Sequence, residues 1–183
     1  MEYTNFSRRT FIKSGLATLA AAALSPVVFS SPLSALPRIL RMNNLHTGEC
    51  LDSEYFDGNN YQLGELRKLN HLCRDFRHNE AIKMDRGLFD QLSKIQKVIG
   101  CDTQVQIISG YRSPATNKML RRKSNGVAKK SLHMIGRAID FRLQGVPLAE
   151  VRKAALSLKI GGVGYYSESD FVHIDTGHFR SWS

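Results

Sequence analysis

Two histidines and one aspartate have the residue types and the spacing of a catalytic metal site. His133 and Asp140 lie seven positions apart in the segment SLHMIGRAID, and His173 follows in the segment FVHIDTG. Two imidazole nitrogens and one carboxylate oxygen form a ligand set of catalytic zinc, which keeps its fourth position open to water. Each residue alone is more often an ordinary polar side chain, so the prediction of a metal site depends on all three acting together.

Two neighbouring strands are predicted to position these side chains. Gly136 interrupts a helical interpretation of the first segment, so His133 is expected on a loop and Asp140 on one face of the strand that follows. In FVHIDT the period of two places His173 and Asp175 on one strand face. If the two strands are neighbours, Asp140 and His173 point at the same place.

Hydrolysis at a metal-bound water also needs a group that takes a proton from the water and passes it to the leaving group. Asp175 is the favoured candidate for this general base because it shares the strand face of His173. Its alternative role is to orient a metal ligand through a hydrogen bond. Asp170, three residues before His173, is the second candidate, and Glu168 is a more remote one.

The rest of the chain predicts a scaffold of the α+β class, with an antiparallel-rich sheet and helices packed on it. Two strands are expected around a turn at Thr47 and Gly48, and a further strand has Val105 and Ile107 facing inward. Apolar spacing and capping signals predict four helices, at 65–79, 85–100, 113–123 and 147–158.

An export signal is predicted before this domain. The segment SRRTFIK, residues 7–13, has the paired arginines, the following aromatic residue and the lysine of a twin-arginine signal. The apolar run at 16–29 is shorter than the ~18 to 20 residues of a membrane span, so removal of the signal is expected rather than a stable membrane anchor. Cleavage of residues 1–30, or alternatively after Ala35, leaves a single domain over residues 38–183 in the periplasm.

The chain is basic, with a formal net charge of +10 that arises from 26 lysines and arginines against 16 acidic residues. A basic surface suits an anionic partner. No recognition helix or basic strand with interleaved aromatic residues stands out, so nucleic acid is not the expected partner. The cations of the segment RRKSNGVAKKS lie just before His133, where they form either a solvated loop or a means to steer an anionic peptide.

Three cysteines, Cys50, Cys73 and Cys101, follow the signal. The periplasm is an oxidising compartment, and an odd number of cysteines permits either one disulfide with one free thiol or no disulfide at all. The sequence leaves this pairing open, and the absence of a CxxC pair argues against a thiolate metal site.

The motifs resemble those of a group of zinc peptidases. SLHMIGRAID resembles the SxHxxGxAxD signature of the group that contains lysostaphin, the D-alanyl-D-alanine metallopeptidases and the hedgehog signalling domain. SGYRSP, residues 109–114, resembles the segment that precedes this signature, and FVHIDTG resembles the closing histidine motif. The segments RILRMNNLHTGE, LFDQLSKIQKVIG, GVAKKS and AALSLKIGGVGYY are similar to one branch, the periplasmic murein endopeptidase K type, over about residues 38–182.

This resemblance implies a hedgehog-like or D-Ala-D-Ala-peptidase-like fold, one zinc ion per chain and a peptidoglycan substrate. The expected reaction is hydrolysis of an amide in the crosslinks between stem peptides, with the bond between two diaminopimelates as the favoured target and a monomer as the expected state. The resemblance also implies that Arg112 grips a substrate carboxylate and that Ser131 contacts the substrate. The glutamate usual in the group is replaced by Asp170, which leaves the general base open.

Two alternatives to an endopeptidase remain at this point. A D,D- or L,D-carboxypeptidase of the same group needs the same residues but trims a stem peptide instead of cutting a crosslink. A non-catalytic peptidoglycan-binding protein keeps affinity for the wall without turnover, and the missing glutamate favours this alternative.

Overall fold

The sheet begins with a hairpin. The structure is a computed structural model that describes residues 36–124 and 126–183, so the predicted export signal and its cleavage sites lie outside the described residues. Strands β1 (Arg38–Asn44) and β2 (Cys50–Phe56) are antiparallel. The predicted turn at Thr47 and Gly48 joins them, and Gly48 takes the positive φ of 72° that favours glycine.

In the part of the chain that the structure describes, seven strands form one mixed sheet in the order β2-β1-β3-β4-β6-β5-β7. The five later strands are β3 (Val105–Ser109), β4 (Ala138–Leu143), β5 (Gly162–Tyr166), β6 (Phe171–Asp175) and β7 (Arg180–Trp182). The α+β class is confirmed, but the expectation of an antiparallel-rich sheet was wrong, because β3 runs parallel to β1 and β7 runs parallel to β5. Two helices connect β2 to β3, and a connection of that length allows β3 to return parallel beside β1.

Among the described residues, four α-helices occur where the sequence predicts them. They are α1 (Leu63–Leu72), α2 (Arg86–Ile99), α3 (Pro114–Lys123) and α4 (Leu148–Ser157). The side chain of Asp85 caps α2 by accepting a hydrogen bond from the Gly87 amide, and Gly100 ends that helix in the left-handed conformation, as expected. Ser113 caps α3 in the same way, with Pro114 in its first turn.

Helix α1 is shorter than predicted, because it ends at Leu72 instead of continuing to residue 79. The chain leaves the helix at Cys73, whose carbonyl accepts a hydrogen bond of 2.7 Å from the Tyr111 amide. Asp75 and Glu80 then pair their backbones in an isolated bridge. These contacts with distant or non-helical partners replace the helical hydrogen bonds that the apolar spacing predicted.

Strands β4 and β6 carry apolar side chains on one face and the candidate metal ligands on the other. Ile139 and Phe141 of β4 and Ile174 of β6 are fully buried members of the hydrophobic core, which lies between the sheet and the helices. The opposite face carries Asp140 on β4 and His173 on β6, as the period of two predicts. Within the described residues, no helix has the length and apolar character needed to cross a membrane.

Candidate metal centre and substrate cleft

Three side chains from distant parts of the chain meet at one point. Asp140 and His173 are direct partners in the β4–β6 register, which explains how the sheet brings them together. His173 Nδ1 lies 2.7 Å from Asp140 Oδ1, and His133 Nε2 lies 3.2 Å from each of these two atoms. His133, Asp140 and His173 are the metal-ligand candidates that the sequence predicts, and all three are buried.

A hydrogen bond outside this cluster determines the tautomer of His133. Its Nδ1 lies 2.6 Å from the carbonyl oxygen of Gly110, which can only accept, so Nδ1 donates and Nε2 is the proton-free nitrogen of the neutral ring. His173 faces a carboxylate at each ring nitrogen, with Asp140 Oδ1 2.7 Å from Nδ1 and Asp175 Oδ2 3.3 Å from Nε2. With its proton on Nε2, His173 directs a free Nδ1 at Asp140 Oδ1, as a metal ligand must.

The donor set fits a zinc ion. When His133 Nε2 and His173 Nδ1 carry no proton, their lone pairs and the carboxylate oxygen meet at one point and repel one another unless a cation joins them. Tetrahedral zinc with bonds of about 2.0–2.2 Å places its ligand atoms about 3.3–3.6 Å apart. The two separations of 3.2 Å from His133 Nε2 are close to this spacing, whereas the 2.7 Å between His173 Nδ1 and Asp140 Oδ1 has the length of a hydrogen bond.

A short 3₁₀ turn, residues Leu132–Ile135, presents His133 to the cluster. The Ser131 hydroxyl caps this turn by accepting a hydrogen bond of 3.3 Å from the His133 amide. Gly136 ends the turn with a φ of 66°, and a Cβ at this position would lie 2.9 Å from the Lys83 carbonyl oxygen. Only glycine satisfies both conditions without strain, so Gly136 allows the abrupt change from the turn into β4.

The loop after β3, whose Gly110 carbonyl contacts His133, packs closely against the backbone of Cys73. A Cβ on Gly110 would lie 2.3 Å from the carbonyl oxygen of Cys73, a distance that no side chain tolerates. The loop is also fixed by Asp75, whose carboxylate accepts a hydrogen bond of 2.9 Å from the Ser113 amide. The motif SGYRSP contains Gly110, but the sequence predicts no role for Gly110 or Asp75, because their roles depend on contacts between segments that are far apart in the chain.

Arg112 contacts the cluster directly. Its Nη2 group forms an ion pair with Asp140 Oδ2, and its Nε group donates a 2.8 Å hydrogen bond to Ser109 Oγ. Its third nitrogen, Nη1, has no hydrogen bond to any residue that the structure describes. The guanidinium therefore neutralises part of the charge of Asp140, and Arg112 is one of the residues that line the cleft above the cluster.

The charge state of the cluster follows from burial and from its neighbours. Burial lowers the pKa of His133, which keeps its imidazole neutral near pH 7. Burial alone would raise the pKa of Asp140, but the two histidines and Arg112 hold this pKa well below its usual range. Burial opposes the charged form of His173 as well, yet its hydrogen bonds to Asp140 and Asp175 raise its pKa. The cluster therefore presents an ionised carboxylate to any cation.

Asp175 lies behind His173 rather than inside the cluster. Its side chain is fully buried, and besides His173 it accepts hydrogen bonds from Arg180 at 2.6 and 3.2 Å. The amides of Gly162 and Gly177 donate to the same carboxylate at 2.9 and 2.8 Å. Burial would raise the pKa of Asp175, but these hydrogen bonds lower it. Such a carboxylate is suited to orient His173.

The structure does not bring Asp170 to the cluster. Asp170 sits in the turn between β5 and β6 with a φ of 53°, and it forms an ion pair with Arg142. Both residues line a separate depression beside Gln106 and Pro147. Neither Asp170 nor Glu168 is among the residues described as lining the cleft above His133.

A cleft of about 410 Å³ opens above the cluster. One side is formed by the segment before His133, including Ser131 and Lys130, and the other by aromatic residues of β5, β6 and β7. These aromatic residues are Tyr166, Phe171 and Trp182. Cationic and aromatic side chains therefore line a concave volume of the size typical of ligand sites.

The fold and the cluster are those expected of a metal-dependent hydrolase: two histidines and one aspartate that could hold a metal ion are buried on an α+β sheet at the floor of an open cleft. Comparison with known proteins gives the family. The family described as peptidoglycan L,D-endopeptidase MepK matches residues 33–182. The chain belongs to this family of peptidases, which confirms the resemblance to the murein endopeptidase K type.

Curated relatives match along the whole chain. The peptidoglycan L,D-endopeptidase MepK of Escherichia coli (strain K12) is 50% identical over 182 residues, which cover 100% of both chains. The protein of the same name from Shigella flexneri has the same identity and coverage. The probable peptidoglycan L,D-endopeptidase MepK of Haemophilus influenzae is 43% identical over 183 residues, which cover 100% of this chain and 98% of the relative.

The amino-terminal segment matches a known export signal. The twin-arginine translocation signal matches residues 5–25, which confirms the predicted twin-arginine address of the segment SRRTFIK. The protein is therefore exported by this route to the periplasm, the compartment that contains peptidoglycan.

Proposed function

We propose that this protein is a periplasmic zinc endopeptidase that hydrolyses an amide in the crosslinks between peptidoglycan stem peptides. The bond between two diaminopimelates is the proposed target, and one zinc ion per chain is the proposed cofactor. The observation that carries the proposal is the convergence of His133 Nε2, His173 Nδ1 and Asp140 Oδ1 within 3.2 Å of one another. The names of the relatives support the endopeptidase activity over that of a carboxypeptidase.

In this proposal His133, Asp140 and His173 hold the metal. A zinc ion in this site supplies Lewis-acid polarisation of the scissile carbonyl and the activation of water near neutral pH. The protein contributes the orientation of the ligands, since Gly110 and Asp175 hold the protonated nitrogens of the two rings away from the cluster. The burial of the cluster beneath the cleft strengthens every electrostatic interaction within it.

Arg112 and Ser131 are proposed to bind the substrate. The Nη1 group of Arg112 is directed to a free carboxylate of the stem peptide, while Nη2 remains on Asp140. The Ser131 hydroxyl accepts from the His133 amide and can donate its own proton to a substrate carbonyl in the cleft. Replacement of Arg112 by lysine keeps the charge but loses the planar fork, so we expect a raised KM for crosslinked peptides.

Of the three candidates for the general base, Asp175 is the one that lines the cleft. Its complete burial and the hydrogen bonds that it accepts from four residues favour the alternative assignment, in which Asp175 orients His173. Asp170 is assigned no part in the reaction, because its carboxylate is paired with Arg142 outside the cleft.

The proposal extends to the mature chain. Removal of residues 1–30, or cleavage after Ala35, would leave one peptidase domain over residues 38–183 that acts as a monomer with a hedgehog-like or D-Ala-D-Ala-peptidase-like fold. Mass spectrometry of the periplasmic protein gives the cleavage position, and sedimentation gives the oligomeric state.

Digestion of purified muropeptide dimers tests the reaction. The expected result is the conversion of dimers joined by two diaminopimelates into two monomers, resolved by chromatography, with His133→Ala as the inactive control. An enzyme that removes a terminal residue and leaves the crosslink intact would be a carboxypeptidase. Binding of intact peptidoglycan without any product would indicate a non-catalytic wall-binding protein, and both results would contradict the proposal.

A further inference from the structure

We propose that the C-terminal strand β7 is a positioning element for the metal site, in which Arg180 and Trp182 hold His173 in its ligand orientation. The inference deepens the proposed function and rests on the assignment of His173 as a metal ligand. The inference begins from the residues of β5, the strand that lies between β6 and β7 in the sheet.

Strand β5 carries glycines where its side chains would face the cleft. Gly164 is the partner of His173 in the β5–β6 register and the partner of Trp182 in the β5–β7 register. A Cβ on Gly164 would lie 2.7–2.8 Å from atoms of the Trp182 indole. The absence of a side chain on Gly164 therefore allows the indole to cross β5 and reach His173, with the ring centroids 5.2 Å apart.

Gly162, two residues before Gly164 on β5, leaves a second opening of the same kind. Gly162 is the register partner of Arg180. A Cβ on Gly162 would lie 2.4 Å from Asp175 Oδ2 and 2.6 Å from Arg180 Nη1. The guanidinium of Arg180 thus crosses β5 to reach Asp175, the carboxylate that accepts from His173 Nε2. Two residues of β7 take the places that side chains of β5 would otherwise occupy.

The crossing side chains are themselves fixed. Arg180 lies over the Trp182 ring at 5.0 Å from its centroid, a cation–π contact that ties the two side chains together. The indole nitrogen of Trp182 donates a 2.9 Å hydrogen bond to the Tyr166 hydroxyl. His173 is therefore held at Nε2 through Asp175 and along its ring by Trp182, which leaves Nδ1 directed at the cluster.

Strand β7 contributes little else to the fold. It is three residues long, it lies at the edge of the sheet, and none of its residues is among the described members of the buried hydrophobic core. Loss of the Arg180 or Trp182 side chain should therefore affect His173 more than it affects the unfolding of the domain. The partners that orient metal ligands typically contribute about 10- to 100-fold to metal affinity or activity.

Zinc affinity, measured by chelator competition with the purified full-length protein, tests the inference. Arg180→Gln and Trp182→Ala should each weaken zinc binding by roughly 10- to 100-fold. Arg142→Gln is the matched control, because Arg142 also pairs with an aspartate and its side chain is exposed to the same degree, 36%. The control variant should bind zinc as tightly as the wild type.

A double-mutant cycle tests whether Gly164 acts on the metal site through Trp182. Gly164→Ala should weaken zinc binding in the wild type, because the new methyl group displaces the indole. The same change should have little further effect in the Trp182→Ala background, where the indole is gone. Equal effects of Gly164→Ala in both backgrounds would contradict the proposed path through Trp182.

Tryptophan fluorescence gives a readout that needs no substrate. Trp182 is the only tryptophan of the chain, and its ring lies against a proposed metal ligand. Addition of Co²⁺ to metal-free wild-type protein should quench this emission, and Arg180→Gln should move the quenching midpoint to a higher metal concentration. Unchanged zinc affinity and an unchanged midpoint would overturn the role of β7. Failure of the wild type to bind metal would instead overturn the proposed metal site.

Discussion

His133 Nδ1 donates a 2.6 Å hydrogen bond to the carbonyl oxygen of Gly110, and this contact leaves Nε2 as the proton-free nitrogen of the ring. The carbonyl belongs to the loop that follows β3, whereas the imidazole belongs to the turn before β4. The orientation of one proposed ligand is therefore set by a backbone atom 23 residues away along the chain. Residues that shape this loop should control metal binding without touching the metal.

Gly110→Ala should be strongly destabilising. The new Cβ would lie 2.3 Å from the Cys73 carbonyl oxygen, and backbone atoms cannot move aside as a flexible side chain can. Overpacking in a well-packed region typically costs about 1–3 kcal/mol of unfolding free energy, and this contact should reach or exceed that range. The urea concentration at the unfolding midpoint and the zinc affinity should both fall. Gly64→Ala is the control, because a Cβ on Gly64 would have no atom within 4 Å and Gly64 lies in α1 without a positive φ, so both values should stay near those of the wild type. Wild-type values for Gly110→Ala would contradict the close approach.

Asp175→Asn and Asp170→Asn should differ greatly in turnover. An asparagine at position 175 weakens the hydrogen bond to His173 Nε2, because a neutral amide is a poorer acceptor than a carboxylate. Zinc affinity and turnover should therefore fall by about 10- to 100-fold. An asparagine at position 170 removes only an exposed ion pair with Arg142, and its turnover should stay near that of the wild type. Steady-state rates on a purified crosslinked dimer check both variants. Equal rates for the two variants would contradict the assigned roles.

Asp75 should contribute stability that depends on pH. Burial would raise the pKa of Asp75, but its hydrogen bonds, including that from the Ser113 amide, lower it in the folded protein. A carboxyl whose pKa is lower in the folded state stabilises the fold above its unfolded pKa of about 3.9, and this contribution is lost as the pH falls through the folded pKa. The wild type should exceed Asp75→Asn in stability near pH 7, and the difference should shrink below about pH 4.

Urea unfolding in the presence of a chelator measures this difference without a contribution from metal release. The difference in unfolding free energy between the wild type and Asp75→Asn should depend on pH. If it stays constant from neutral to acidic pH, the ionised carboxylate of Asp75 is not what stabilises the loop.

The three cysteines should react with thiol reagents at very different rates. The structure contains no disulfide among Cys50, Cys73 and Cys101. Cys50 is exposed, whereas Cys73 is fully buried and burial raises the pKa of its thiol to about 12. Alkylation of the native protein followed by peptide mapping should label Cys50 rapidly and Cys73 only after unfolding. Rapid labelling of Cys73 in the native protein would contradict its position in the core.

Local patterns predicted the elements that depend on short-range physics. The capping of α2 by Asp85 and its end at Gly100 follow from side-chain hydrogen bonding and from the conformational freedom of glycine. The common face of Asp140 and His173 follows from the period of two on each strand, once the strands are known to pair. The three metal-ligand candidates could therefore be named from their motifs and spacing.

The features that the sequence did not predict depend on contacts between distant segments. Strand β7 is too short to show an alternating pattern, so its parallel pairing with β5 could not be anticipated. Arg180 and Trp182 consequently had no predicted role. The early end of α1 depends on the hydrogen bond between Cys73 and Tyr111, which no local apolar spacing reveals.

A zinc titration tests the central claim most directly. Metal-free wild-type protein should be inactive on a purified dimer joined by two diaminopimelates, and its activity should rise with added zinc to a plateau at one ion per chain. His133→Ala, which lacks one of the three converging atoms, should remain inactive at the same zinc concentrations. Full cleavage by the metal-free protein, or by His133→Ala, would contradict the account.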